Sequence, residues 1–153
     1  MEREVLENMS SAELVKLLKE DPSLSSKFDE YSLWSKIITW SYLLAEQPQF
    51  ADKCDKWEEF SAWDWYELFD QPQFEEKAKQ YPSGWAAILT QKPELARDCD
   101  KWEEFSAEDW SWLLESRPQF ADKCDKWEKF SAEDWSSLLK FQPQFADMRN
   151  KQI

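Results

Sequence analysis

The chain has 153 residues, 42% of them hydrophobic and 16% aromatic, with eleven tryptophans, one glycine and a formal net charge of -13. This content suffices for one ordinary domain with its core, and the acidic excess excludes direct binding to nucleic acid or to anionic membranes, both of which reward positive charge. The absence of histidine removes the commonest general base, the commonest zinc ligand and the usual Ser/His and Cys/His nucleophilic pairs.

The first segment, MEREVLENMS, is charged where a signal sequence needs an apolar run, and no stretch approaches the roughly 18 apolar residues of a membrane span. A cytoplasmic protein with no membrane partner is expected. Within residues 1–31 the stripe Leu14, Leu17, Leu18 predicts a helix, and Val5, Leu6, Met9 and Leu14 occupy places that aromatic residues take later in the chain. These residues are read as an N-terminal cap unit.

From residue 32 to residue 141 the chain repeats itself about every 25 residues. QPQFADKCDKWEEFSAWDW, beginning at Gln47, returns as KPELARDCDKWEEFSAEDW from Lys92 and as RPQFADKCDKWEKFSAEDW from Arg117. Aligned on Pro22, Pro48, Pro72, Pro93, Pro118 and Pro143, the first five repeats each place an aromatic nine residues on: Tyr31, Trp57, Tyr81, Trp102 and Trp127. The shortest spacing arises from four residues missing between Tyr81 and Trp85, where a kink is expected. Residues 142–153 form a C-terminal cap with a polar tail.

Each repeat predicts two helices. In SAEDWSWLLESRP, Ser106 suits the N-cap, Glu108 and Asp109 suit the positive end of the dipole, and Trp110, Leu113 and Leu114 share one face. The following PQFADKCDKWEEF puts Phe50, Cys54 and Trp57 at i, i+4, i+7, a second apolar stripe opened by proline at the first helical position. Phe60, just outside the capping Ser61, can staple the next helix. A unit this small cannot bury its own apolar face, so the expected fold is all-α: an α-solenoid of about six helical hairpins forming a single elongated domain over 1–153.

The run that carries the repeat, with its fixed Pro, Cys and Trp places over roughly residues 34 to 147, resembles the tandem Trp-rich repeats of uncharacterised bacterial proteins, in which PQFADKCD units recur in long arrays. The resemblance implies an array and a bacterial or phage origin, and brings no activity or site residue with it. The first unit departs from it, with Phe28 in the Cys place and Leu14 in the Trp place.

Catalytic chemistry has little to work with. One glycine cannot build a phosphate loop, no calcium-loop pattern occurs, and Cys54, Cys99 and Cys124 recur at one repeat position on the apolar stripe, as small buried hydrophobes do. No enzyme, cofactor or metal is expected. The acids Glu58, Glu59 and Asp64 recur as Glu103, Glu104 and Asp109, which predicts an acidic edge. Trp63 and Trp112 stand two positions off the core register, Trp112 lying about 200° around its helix from Trp110. Their equivalents include Tyr42 and Ile38, but also Glu67, Glu108 and Glu133, so these aromatics are read as at least partly exposed. Phe141 is read as an end seal on the last unit.

Together Trp63, Trp112, Tyr42, Glu58, Glu59, Asp64, Glu103, Glu104 and Asp109 suggest a binding surface for a protein with a basic or amphipathic face. Two other readings are an acidic mimic of nucleic acid that inhibits a DNA- or RNA-binding protein, as some phage inhibitors do, and a purely structural repeat array.

Overall fold

The computed structural model describes residues 2–152, and over these it is all-helical, many short helices packing against one another with no strand among the described residues. The chain divides into two compact units, one ending at Glu59 and the other starting at Phe60. None of the described helices is long and apolar enough to cross a membrane.

The first unit contains α1 (Arg3–Glu7), α2 (Ser11–Glu20), α3 (Ser25–Glu30) and α4 (Trp40–Glu46), with short 3₁₀ turns between and after them. Leu14 and Leu18 of α2, Phe28 of α3, and Trp40, Leu43 and Leu44 of α4 form its core, each at most 1% exposed. Leu14 and Leu18 belong to the stripe read from spacing, whose third member, Leu17, is half-buried. Trp34 lies against Phe28, Trp40 and Phe50, with ring centroids 5.0, 5.8 and 5.3 Å away.

The second unit contains α5 (Ala62–Glu67), α6 (Pro72–Ala78), α7 (Pro82–Gln91), α8 (Ala107–Ser116), α9 (Ala132–Phe141) and α10 (Ala146–Asn150). α7 packs against α5, α6 and α8, and α8 packs in turn against α9. Having neighbours on several sides, α7 buries Gly84, Trp85, Ala86, Ala87, Ile88 and Leu89 in succession. The alanines leave room for those neighbours. At Gly84 there is no room at all, since a Cβ would lie 2.1 Å from the Ala78 carbonyl oxygen.

The N-termini of α5, α8 and α9 are built alike. Ser61, Ser106 and Ser131 each accept from the backbone N–H three residues on, and Asp64, Asp109 and Asp134 each accept from the capping serine's own N–H, giving a reciprocal capping box. The expected staple is present at all three: Phe60 meets Trp65, Phe105 meets Trp110 and Phe130 meets Trp135, with centroids 5.0, 5.1 and 4.8 Å apart. A cap of this kind contributes about 1 kcal/mol. It also fixes the direction in which the chain enters each helix.

The second helix of the predicted hairpin is corrected. Residues Pro48–Lys53 and Trp57–Glu59 form two 3₁₀ turns separated by an extended Cys54 with φ -77° and ψ 128°. Cys99 and Cys124 break the two equivalent segments in the same way. The divergent repeat supplies the physical reason. There PQFEEKA forms α6, with Glu, Glu and Lys in place of ADK and Ala78 in the Cys place. Asp and Cys favour helix less than Glu, Lys and Ala do. The four-residue deletion therefore falls where an α-helix has replaced the pair of 3₁₀ turns.

Residues just before the prolines tie a helix end to the next segment. Arg117 Nε donates to the Thr90 carbonyl at 3.0 Å, and Gln142 Nε2 donates to the Glu115 carbonyl at 2.8 Å. In the first unit the buried Gln47 amide, oriented to satisfy both of its ends, donates to the Leu18 carbonyl and accepts from Lys19 N, each at 3.1 Å. Carbonyls in the last turn of a helix lack intrahelical donors. Here a side chain about one repeat later supplies the donor.

Candidate functional site

Two of the off-register aromatics come together in the second unit. Trp63 and Tyr66 are three residues apart on α5 and share a face, as do Trp112 and Glu115 on α8. The Trp63 and Tyr66 rings stack at 6.0 Å with an interplanar angle of 15°. Trp112 meets both edge-on, at 5.7 Å from Trp63 and 5.9 Å from Tyr66. These separations lie within the range of favourable aromatic pairs. The cluster is nevertheless open to solvent: Trp63 is 54% exposed, Tyr66 38%, and Trp112 half-buried.

The three rings form one wall of an open groove of about 290 Å³, which Thr90 of α7, Glu115 and Phe141 also line. Phe141 is 58% exposed, so it does not seal the end of the last repeat as expected. It ends α9, and its ring borders the groove. The carbonyls of Thr90 and Glu115 are the two that Arg117 and Gln142 hold, which steadies the groove's backbone.

The electrostatics of the groove are set by Glu115. Burial raises its carboxyl above the ordinary glutamate value, and Lys140 opposes this in part. Among the described residues Glu115 forms no ion pair. Lys140 Nζ lies 5.6 Å from the centroid of the neighbouring Phe141 ring and borders a separate groove that includes Trp127 and Trp135. The lining of the aromatic groove contains no cation.

The remaining predicted residues lie elsewhere. Tyr42 belongs to the first unit, is 55% exposed, and lines a groove of about 830 Å³ with Val15, Lys16 and Lys19. Glu58 and Glu59 are exposed on the 3₁₀ turn that ends that unit, and Glu103 and Glu104 are exposed on the equivalent turn of the second. Lys101 lies 3.6 Å from Glu104. None of these acids lines the aromatic groove. Asp109 is corrected: it is only 7% exposed, and its carboxylate is committed to the Ser106 capping box. Asp64 is half-buried in the equivalent box.

Sequence reasoning missed Tyr66 and Glu115. Both were within reach through the i, i+3 relation to Trp63 and Trp112. The capping role of Asp64 and Asp109 was equally readable from the Ser-x-x-Asp spacing.

The thiols have a packing role. Cys54 and Cys99 are buried and Cys124 is half-buried. Burial pushes the Cys99 and Cys124 thiols up to about 11, which disfavours the reactive thiolate. Among the described residues no three of Cys, Asp and Glu gather as a metal site requires. No family model, curated protein or solved structure matches the chain.

Proposed function

We propose that this chain is a non-catalytic protein-interaction module of the α-solenoid type, cytoplasmic, whose repeats present an acidic surface with aromatic residues to a basic or amphipathic polypeptide. The observation that carries the reading is the cluster of Trp63, Tyr66 and Trp112, with Phe141 lining the same groove. The core employs Trp65, Trp85 and Trp110 at 3% exposure or less, so the repeat already has its packing tryptophans. Solvent-facing aromatics gathered in a concavity are costly to leave bare, and they are the residue types that dominate polypeptide interfaces. The groove borrows three helices of the second unit for its aromatic lining, so no single repeat would make it.

Support for an acidic mimic of nucleic acid comes from the exposed pairs Glu58/Glu59 and Glu103/Glu104. It is weakened by the capping boxes, which draw Asp64, Asp109 and Asp134 into helix ends.

The test is capture of binding proteins from lysate with the wild-type chain and with Trp63→Ala/Trp112→Ala, at low and moderate salt, after circular dichroism has shown the variant folded. The interaction module predicts a polypeptide that is retained at moderate salt and lost with the tryptophans. Equal recovery by both proteins overturns the groove, and a partner released by added DNA in either case favours the mimic.

A further inference from the structure

We infer that the groove between α5, α8 and the end of α9 is a pocket for one arginine side chain, the guanidinium lying against the aromatic rings and facing the Glu115 carboxylate. This rests on the reading of the groove as a polypeptide-binding site and names the group that enters it.

Three properties of the groove point to this occupant. Four of its lining residues are aromatic, Trp63, Tyr66, Trp112 and Phe141, and tryptophan rings attract cations most strongly among the aromatic side chains. It contains one charged group, Glu115, and no cation in the lining, and Lys140, outside it, offsets that negative charge only in part. Its volume of about 290 Å³ is at the low end for ligand pockets, enough for a single long side chain. The Phe141 ring already has a cation near it, Lys140 Nζ at 5.6 Å, which belongs to the border of another groove.

Arginine fits these conditions better than lysine. Its guanidinium is planar, stacks on aromatic faces, offers a fork of donors that matches a carboxylate, and sheds water more readily than an ammonium. The raised Glu115 carboxyl agrees with a half-buried group whose charge Lys140 offsets only in part and which has no ion-pair partner among the described residues. A guanidinium in the groove would supply that partner.

The experiment titrates Nα-acetyl-arginine methylamide, and the isosteric but neutral citrulline analogue, into the full chain while the indole N–H resonances are followed by NMR. The Trp63 and Trp112 resonances are assigned through Trp63→Phe and Trp112→Phe. Saturable shifts of these two indoles are expected with the arginine compound, with citrulline at least about tenfold weaker, since both the cation–π attraction and the charge-assisted hydrogen bonds are lost. Glu115→Gln, which leaves the rings in place, is expected to weaken the arginine compound by about tenfold and to leave citrulline unchanged.

Equal affinity for the two compounds, or indifference to Glu115→Gln, overturns the arginine pocket. If the lysate partner is still lost with the tryptophans in that case, the interaction module survives with an apolar ligand. Indole shifts that depend on protein concentration, without either compound, would give the groove to a second copy of this chain and also overturn the proposal.

Discussion

At the scale of single residues, the same side-chain type does different work according to its place in the repeat. Asp109 occupies a position that spacing alone placed on an acidic surface, yet it is 7% exposed and accepts from the Ser106 N–H at 3.0 Å. Burial raises its carboxyl above the ordinary aspartate value, against the two contacts with Ser106 that pull it down. A folded-state value above the unfolded one means that the native protein binds this proton more readily. Ionised Asp109 therefore detracts from stability at neutral pH, and the penalty is relieved as pH falls through the raised value, completely so below the ordinary one. Asparagine keeps an acceptor for the Ser106 N–H and carries no charge. The difference in unfolding free energy between wild type and Asp109→Asn, followed by urea denaturation, is expected to shift in favour of wild type as pH falls through that interval. A difference independent of pH would contradict the assignment.

At the scale of elements, the first helix of each repeat was legible from an i, i+3, i+4 apolar stripe and a proline past its end, joined at α2, α5, α8 and α9 by a capping serine. The second segment was not legible from spacing. Phe50, Cys54 and Trp57 suit one face of an α-helix, but they lie on two 3₁₀ turns about an extended Cys54. The difference between FADKCDK and FEEKAK decides the outcome through propensity, and it becomes visible only when α6 is compared with its relatives. Gly84, on α7, was noted only as the chain's one glycine. Its closeness to α6 is a tertiary fact, the missing Cβ leaving space for the Ala78 backbone. Helix propensity alone would make Gly84→Ala stabilising by up to about 1 kcal/mol. Because the obstructing atoms are main chain, the substitution is instead expected to destabilise by about 1 to 3 kcal/mol, the range for forcing groups into a packed site. Urea unfolding measures this, and a gain in stability would show that α6 and α7 are free to move apart.

At the scale of the whole molecule, periodic prolines and tryptophans made an all-helical structure of many short packed helices readable in advance. The binding candidates were partly readable too. Trp63 and Trp112 stood out because other repeats carry glutamate or serine at their places, but spacing could not show that they meet, that Tyr66 and Glu115 join them, or that Phe141 opens toward the same groove. Those are products of how α5, α7, α8 and α9 pack. Nor does the off-register position have one fate: Ala87, equivalent to Trp112, is fully buried because α7 has neighbours on several sides. One class of tryptophan is buried in the core, and another stands on the surface. The most direct measurement is urea unfolding of Trp110→Ala and Trp63→Ala in the full chain, followed by far-ultraviolet circular dichroism. With Trp110 at 0% exposure and Trp63 at 54%, Trp110→Ala is expected to cost about 3 to 5 kcal/mol and Trp63→Ala, which loses only its two ring contacts with Tyr66 and Trp112, about 1 to 2 kcal/mol. Comparable losses from the two substitutions would make Trp63 part of the core and overturn the division of the tryptophans.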